Sequence, residues 1–191
     1  MYVWDRPVVL PLAALSYTIC LAEIVEQSST SGFEPAAVYV SSAGSTGAGV
    51  ALGAKVLGAQ FPVKSIAPMI WPWNSREELA ATANQASELA GLETRLKPDD
   101  ILFDDAHLGP GYGAPSDAGL EALTLLARTE GILVEHVYTA KALAGLVANI
   151  RAGQFRADQD IVFIHTGGTP AIFAEAEMLS RRIPRRVHST S

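Results

Sequence analysis

The chain has little of several features on which common protein functions depend. Cys20 is its one cysteine, so no disulfide can form within the chain, and its apolar neighbours predict a buried, unreactive thiol. Lysine and arginine number 14 against 20 aspartates and glutamates, a net charge of −6 that argues against a nucleic-acid partner. The one strongly basic segment, residues 181–186, is interpreted as a solvated terminus, with a local anionic contact as the alternative.

Long apolar runs are also missing. No stretch reaches the roughly 18 uninterrupted apolar residues of a membrane-spanning helix. Residues 1–6 (Met-Tyr-Val-Trp-Asp-Arg) lack the basic segment and apolar core of a signal peptide. We therefore expect a cytoplasmic protein with no membrane partner. Walker-loop and dinucleotide-fingerprint spacings are absent as well, and we expect no metal site.

What the sequence does contain is a large apolar fraction in a repeating pattern. Hydrophobic residues make up 49% of the chain, and strand-like runs alternate with helix-like segments. This pattern predicts one α/β domain over residues 1–191, with an open, mostly parallel sheet and helices on both faces. The predicted strands are 36–40, 63–70, 93–96, 131–134 and 160–164. The predicted helices are 15–27, 47–58, 75–90, 117–129, 139–152 and one that begins near Pro170, with Ser75, Ser116 and Thr139 as N-caps.

Two glycine-rich turns stand at equivalent places in this pattern. Residues 42–49 (Ser-Ala-Gly-Ser-Thr-Gly-Ala-Gly) and 165–170 (His-Thr-Gly-Gly-Thr-Pro) each follow a predicted strand and precede a predicted helix. Small residues let the backbone approach a ligand closely, and the first amides of a helix bind anions. Since the carboxyl ends of parallel strands share one edge of the sheet, both turns are expected to hold one ligand.

We assign a phosphate to the first turn and a ring to the second. The hydroxyls of Ser45 and Thr46, with the amides of residues 44–48, suit a phosphate, although a purely structural turn is the alternative. At the second turn the Thr166 hydroxyl can bond a ring nitrogen, and the glycines let a flat ring lie against the backbone.

Four other side chains are candidates for chemistry. Tyr112 lies in the loop Gly-Pro-Gly-Tyr-Gly, and Tyr138 precedes a predicted helix, so each could be an aromatic wall or a proton-transfer group. His165 directly continues a strand and is interpreted as a structural residue rather than an acid or base. Lys141 is interpreted as a solvated or carboxylate-paired lysine.

Six segments, in order, carry a family resemblance that covers nearly the whole chain. They are residues 17–27, 44–49, 109–113, 130–133, 137–142 and 165–170. Together they resemble the D-cysteine desulfhydrase and 1-aminocyclopropane-1-carboxylate deaminase family, enzymes of the tryptophan-synthase-β type of fold. The cofactor that this resemblance implies is pyridoxal 5'-phosphate.

The resemblance also implies roles for individual residues. It implies a small amino acid as substrate, and the threonine at position 139, where deaminases more often carry glutamate, favours the desulfhydrase branch. That reaction is α,β-elimination from D-cysteine or a related amino acid, giving pyruvate, ammonia and sulfide. The implied cofactor-binding residues are Gly44, Ser45, Thr46, Gly47, Ala48, Thr139, Thr166 and Gly167, and the implied catalytic residues are Tyr112 and Tyr138.

Departures from the family pattern limit what is transferred. None of Lys55, Lys64, Lys97 and Lys141 matches the Schiff-base lysine, because the chain resembles only the C-terminal half of the family. Residues 135–136 are Glu-His where Asp-Pro is usual, and position 140 is alanine where glycine is usual. A truncated module that binds the cofactor weakly or not at all is therefore the alternative to a lyase.

The same resemblance leads to an expectation about partners. We expect self-association or a complementing N-terminal half, because apolar surface that the missing elements would cover should be exposed. Met69, Trp71 and Trp73 are the candidates for that surface, with core or edge packing of the tryptophans as the alternative.

Overall fold

The computed structural model describes residues 6–183, with side chains from residue 8 onward. Residues 1–5 and 184–191, including part of the basic segment, lie outside the described range. A 3-10 turn over Pro98–Asp100 precedes the third strand. In chain order the elements are α1 (Arg6–Ser31), β1 (Ala37–Ser41), α2 (Ser45–Leu57), β2 (Val63–Ile66), α3 (Ser75–Leu89), β3 (Leu102–Asp104), α4 (Asp117–Thr129), α5 (Thr139–Arg151), β4 (Ile161–Ile164), α6 (Pro170–Ala174) and α7 (Ala176–Arg182).

The four strands form one parallel sheet in the order β3-β2-β1-β4. Val38 of β1 lies opposite Val63 of β2 on one side and Val162 of β4 on the other. The chain moves outward from β1 to β3 and then returns to place β4 on the opposite side of β1. The carboxyl ends of β1 and β4 therefore flank a topological switch point, where open α/β sheets bind ligands.

Helices cover both faces of the sheet, as the predicted fold class requires. Val38 and Val40 of β1 pack with Leu21 of α1 and Val50 of α2. Tyr39, between them, faces the layer of α4 and α5, and its hydroxyl accepts a hydrogen bond of 2.8 Å from Asn149 Nδ2. Because β1 is buried on both faces, all five of its side chains are withdrawn from water.

The ends of three helices test the predicted caps. Ser116 caps α4, since its Oγ accepts a hydrogen bond of 3.1 Å from the Gly119 amide, which confirms that prediction. The prediction for α3 is wrong, because Asn74 Oδ1 accepts from the amides of Arg76 and Glu77 and Ser75 is already helical. The α5 prediction is also wrong: Thr139 is the first residue of that helix, and Tyr138 holds the N-cap position.

Two predicted strands are not found, and the third strand of the sheet lies elsewhere. Residues 93–96 form no strand because the side chain of Asn84 satisfies both backbone groups of Leu96, at 2.8 and 3.0 Å. The strand of this region is β3, six residues further on. Residues 131–134 also lie outside the sheet. In both places a backbone group of the predicted strand is bonded by a side chain distant in sequence, Asn84 at Leu96 and His165 at Leu133.

Helix α1 is longer and more apolar than predicted. Residues 8–31 are long and apolar enough to cross a membrane by length and composition, a property shared with core helices and signal sequences. The search for an uninterrupted run missed this helix because polar residues punctuate it. Its Cys20 is partly buried, and burial together with Glu23 raises the pKa of the thiol, as an unreactive cysteine requires.

The two faces of α1 differ sharply. Ala14 and Leu21 are fully buried, and α2 approaches so closely that a Cβ on Gly49 would lie 2.1 Å from the Ala14 carbonyl oxygen. On the opposite face Val8, Leu12 and Ile19 are 57 to 61% exposed. The close crossing positions the middle of α1 at the carboxyl edge of the sheet, and the other face remains an apolar surface.

Candidate functional site

A cavity of about 610 Å³ lies at the carboxyl edge of the sheet, over the switch point between β1 and β4. No lining residue carries a charged side chain. Within residues 8–183, no cluster of three metal-binding side chains occurs. The lining residues are Tyr17, Ser41, Ser42, Ala43, Gly44, Ser45, Thr46, Pro68, Met69, Trp71, Tyr112, Tyr138, Thr166, Gly167 and Gly168.

Ser42 organises the first glycine turn. Its Oγ accepts hydrogen bonds from the amides of Gly44, at 3.1 Å, and Gly47, at 2.8 Å. The amide of Ala48 donates to the Gly44 carbonyl oxygen at 3.1 Å, as in any first helical turn. These three amides are therefore occupied within the turn. The groups left for an anion are the hydroxyls of residues 45 and 46 and their amides, which have no acceptor within the helix.

The two glycines Gly44 and Gly47 differ in what a larger side chain would meet at their positions. A Cβ on Gly47 would lie 2.6 Å from Ser65 Oγ and 3.0 Å from Leu79, so Gly47 is required by the packing of α2. A Cβ on Gly44 would meet nothing within 4 Å and would only fill space at the cavity wall. The predicted donor set is thus corrected: Gly47 and Ala48 are buried and do not line the cavity, whereas Gly44, Ser45 and Thr46 do.

Ser41 is a lining residue that the sequence analysis missed. It ends β1, is 7% exposed, and its Oγ has no hydrogen-bond partner among the described residues. A buried hydroxyl left without a partner costs about 1–3 kcal/mol, unless a ligand bonds it. In the sequence, the feature that pointed to Ser41 as a site residue was its position at the carboxyl end of the central strand.

The second glycine turn requires glycine for its backbone. Gly167 and Gly168 have φ angles of +102° and +86°, and a Cβ on Gly168 would lie 2.6 Å from Cγ of Glu135. The Gly167 amide donates to His165 Nδ1 at 3.2 Å, which leaves Nε2 as the donor to the Leu133 carbonyl oxygen at 2.9 Å. The imidazole is thereby bonded at both nitrogens and holds the turn, in agreement with its structural interpretation.

The carboxylate of Glu135 caps α5 from behind this turn. It is fully buried and accepts from the amides of Val137, at 2.6 Å, Tyr138, at 2.9 Å, and Thr139, at 2.7 Å. These donors are the positive end of the helix, so they satisfy the charge of the carboxylate. Sequence analysis missed this role, because the nearness of Glu135 to the second turn depends on the fold.

Thr139 is the predicted cofactor residue that the structure places away from the cavity. Its side chain is fully buried, its Oγ1 accepts from the Glu135 amide at 3.0 Å, and it lies 3.1 Å from Glu135 Oε1, to which it donates. The hydroxyl is therefore occupied within the α5 cap. In contrast, Thr166 lines the cavity, beside Gly167.

The two predicted catalytic tyrosines meet at the cavity. Their hydroxyls share a short hydrogen bond, and the rings of Tyr112 and Tyr138 lie edge to face with centroids 5.8 Å apart. The bond to Tyr112, together with partial burial, raises the pKa of Tyr138 to about 12. The hydroxyl of Tyr138 therefore stays protonated well above neutral pH, and it can donate a hydrogen bond at the edge of the cavity.

Residues expected on an outer surface form part of the cavity wall instead. Trp71 donates from Nε1 to the Ala43 carbonyl oxygen at 2.7 Å, and Met69 lies beside it. Trp73 stacks on Trp71 with ring centroids 5.0 Å apart and is 43% exposed. This corrects the expectation for Met69 and Trp71, because the turn after β2 folds back over the first glycine turn.

Comparison with known proteins identifies the family. Residues 63–167, more than half of the chain, match the family described as pyridoxal-phosphate dependent enzymes. The chain belongs to this family. Its cofactor is pyridoxal phosphate, as the sequence resemblance implied. The match spans β2 to the second glycine turn and so includes both tyrosines.

Solved structures agree with this fold. A structure described as an ACC deaminase homologue is 28% identical, with a TM-score of 0.77, over 90% of this chain and 50% of that one. A fungal L-serine ammonia-lyase from Rhizomucor miehei is 21% identical, with a TM-score of 0.51, over 90% of this chain and 56% of that one, and shows the fold alone. The chain thus spans about half the length of these structures.

The cavity fits the family's cofactor in three respects. It offers unoccupied hydroxyls at a helix N-terminus for a phosphate, an open wall at Gly44, and the unpartnered hydroxyl of Ser41. In one respect it does not offer what such enzymes use: none of the four lysines lines it. Lys55 is paired with Asp100 at 2.7 Å, and Lys141 is bonded to a backbone carbonyl.

The adjacent serines of the first turn should respond differently to loss of the hydroxyl. We expect Ser42→Ala to lower the free energy of unfolding by about 1 kcal/mol, because the amides of Gly44 and Gly47 lose their acceptor. Ser41→Ala is the matched control and should not lower it, since no hydrogen bond is lost and an unpartnered buried hydroxyl is removed. Urea unfolding followed by circular dichroism measures both. Equal losses would contradict the assigned capping role.

The hydrogen bond between Tyr112 and Tyr138 predicts how the pKa of Tyr138 responds to substitution. Because the folded pKa of Tyr138 exceeds its ordinary value of about 10, its contribution to stability is fully present below about pH 10 and is lost as the pH rises toward 12. Tyr112→Phe removes the hydrogen bond, so the pKa of Tyr138 should fall toward 10. NMR of protein labelled at tyrosine Cζ with ¹³C measures it, and a pKa that stays near 12 in this variant would refute the assigned cause.

Proposed function

We propose that this chain binds pyridoxal 5'-phosphate without a covalent bond to its own cavity wall, as the cofactor-binding half of an amino-acid lyase. One observation carries the proposal. The cavity has unoccupied anion donors at the N-terminus of α2, at one end of the switch point, and the turn containing Thr166 and Gly167 at the other. No lysine lies between them.

The residues would divide the work as follows. Ser45 and Thr46 hold the phosphate with their hydroxyls and amides, and Ser41 donates to or accepts from the same ligand. Thr166 faces the edge of the ring. When bound, the cofactor withdraws electrons from the α-carbon of an amino acid. The N-terminus of α2 would act on the phosphate at short range, and no charged side chain of the lining competes with it.

For the substrate we propose D-cysteine or a related small amino acid. The 28% identical relative is described as an ACC deaminase homologue, and the threonine at position 139 resembles the desulfhydrase branch of that family. The Tyr138 phenol, with its direction fixed by Tyr112, would donate a hydrogen bond to the leaving hydrosulfide during α,β-elimination, and the hydrosulfide would take its proton from water. Pyruvate, ammonia and sulfide would be the products.

A non-catalytic module is the second candidate, and the composition of the cavity favours it for the chain by itself. Removal of the α-proton needs a base, and the described lining contains no lysine, histidine or carboxylate. The substrate carboxylate would also lack a cationic partner there. Under this alternative the chain binds the cofactor and contributes it to a complex.

Cofactor binding is tested by spectroscopy on the purified chain. Adding pyridoxal phosphate should produce a saturable visible absorbance change, and borohydride should attach no cofactor to any of the four lysines. We expect Thr46→Asp to weaken binding roughly tenfold or more, because a carboxylate would face the phosphate. Thr30→Asp, on the exposed end of α1, is the matched control.

The outcomes separate the two candidates. Pyruvate formed from D-cysteine would exclude the non-catalytic module, whereas a covalent adduct at one lysine would overturn the proposal of non-covalent binding. A bound, unreduced cofactor without turnover would support the non-catalytic module. Unchanged affinity in Thr46→Asp would overturn the placement of the phosphate.

We further propose that a complementing chain of the same fold covers the exposed face of α1. Val8, Leu12 and Ile19 form one apolar stripe there, and the matched structures are about twice as long as this chain. A second copy of this chain is the competing occupant of that stripe.

Association should depend on this stripe. Without a complementing chain, we expect concentration-dependent self-association, measured by size-exclusion chromatography with light scattering. Leu12→Glu should shift the chain toward monomer because it places a charge in the apolar stripe. Ser29→Glu, at the far end of the helix, should leave the distribution unchanged. A wild-type chain that is monomeric at all tested concentrations would contradict the proposal that the apolar stripe of α1 mediates association.

A further inference from the structure

Lys141 is a buried cation that the site as described does not use. Its side chain is fully buried, and its Nζ donates a hydrogen bond of 2.6 Å to the carbonyl oxygen of Gly111. No carboxylate of the described residues lies within salt-bridge distance of it, so the expectation of a solvated or carboxylate-paired lysine is wrong. A buried ammonium group is costly unless its surroundings compensate it, which makes its position informative.

The acceptor of this bond belongs to a loop with few other anchors. Residues 109–113 form no helix or strand, and Gly109, Gly111 and Gly113 have φ angles of +65°, +147° and +74°. These conformations are open to glycine but strained for other residues, so the backbone itself does little to fix the loop. Tyr112, at its centre, is 56% exposed.

The first turn of α5 contacts this loop at two successive residues. Tyr138 and Lys141 are three positions apart and so lie on one side of the helix. The hydroxyl of Tyr138 bonds Tyr112, and the ammonium of Lys141 bonds Gly111. A side chain and the neighbouring backbone carbonyl are thus held from the same helical turn, which restricts both the place and the orientation of the Tyr112 ring.

The charge of Lys141 is balanced from the other side of the same turn. Burial lowers the pKa of Lys141, and the buried carboxylate of Glu135 opposes that effect. Glu135 is itself fixed by the amides at the start of α5. The anion and the cation therefore hold opposite sides of one helical turn, against the second glycine turn and the tyrosine loop respectively.

We propose that Lys141 is a positioning residue: by holding the Gly111 carbonyl it places the Tyr112 phenol against Tyr138 at the edge of the cofactor cavity. It is not among the residues that line the cavity, and it acts through the loop. The proposal concerns the same site as the proposed function, but its test requires no cofactor, so either can fail without the other.

The experiment is a double-mutant cycle read out through tyrosine titration. In Lys141→Met the loop loses its anchor, so we expect the pKa of Tyr138, measured by ¹³Cζ NMR, to fall from about 12 toward its ordinary value. In the Tyr112→Phe background the same lysine substitution should produce no further shift, because the bond that it supports is already gone. Lys97→Met, at an exposed lysine, is the matched control.

Two results would overturn the assignment. One is a folded Lys141→Met protein in which Tyr138 titrates as in the wild type. The other is a shift that persists in full in the Tyr112→Phe background, which would mean that Lys141 acts on Tyr138 without the loop. A general loss of packing would shift the buried Tyr39 resonance as well, and the control variant should shift neither.

If Lys141→Met does not fold, the wild-type chain provides the second measurement. The ¹⁵Nζ protons of a buried lysine bonded to a carbonyl exchange slowly with water and give an NMR signal, whereas those of exposed lysines are lost to exchange. We expect one such signal, with nuclear Overhauser contacts to residue 111. An ammonium group that exchanges like the exposed Lys97 would overturn the proposal.

Discussion

The site depends on one pairing, that of β4 with β1. Val38 lies opposite Val162 and Val40 opposite Ile164, so the two strands end level with each other. Had the chain continued outward after β3, the second glycine turn would lie three strands away from the first. The return of the chain across the sheet brings the two turns to either side of one crevice, and Tyr17 of α1 and the turn after β2 complete its lining.

Within the crevice, packing and ligand requirements compete for the same small residues. Ser42 and Gly47 are needed to start α2 and to seat it against β2, which leaves Ser45 and Thr46 to face the cavity. The glycine-rich turn therefore packs α2 against the sheet and offers donors to a ligand, with neighbouring residues serving each purpose. An anion site of this kind needs no additional element, because the turn that begins the helix also exposes the first amides of that helix.

Sequence reasoning reached the features that are encoded locally. The strands before both glycine turns and the Ser116 cap follow from periodicity and turn chemistry over a few residues, and the meeting of the turns follows from the rule that parallel strands end at one edge of a sheet. It could not reach features that depend on contacts between distant segments. Asn84 suppresses a strand twelve residues away, and Trp71 reaches back to Ala43 to form a wall. Likewise Glu135 is a cap whose effect on the second turn exists only in the folded chain.

The placement of charge distinguishes this site from a self-sufficient catalytic centre. Its wall is neutral, while a carboxylate at Glu135 and an ammonium at Lys141 are buried directly behind it. There they orient backbone amides and a carbonyl, which hold the tyrosines and the second turn, rather than react. For the proposed lyase, a base and a partner for the substrate carboxylate would have to come from outside this wall. The uncovered apolar face of α1 suggests the same source, because a complementing chain that covers it could also bring charged groups to the open side of the crevice.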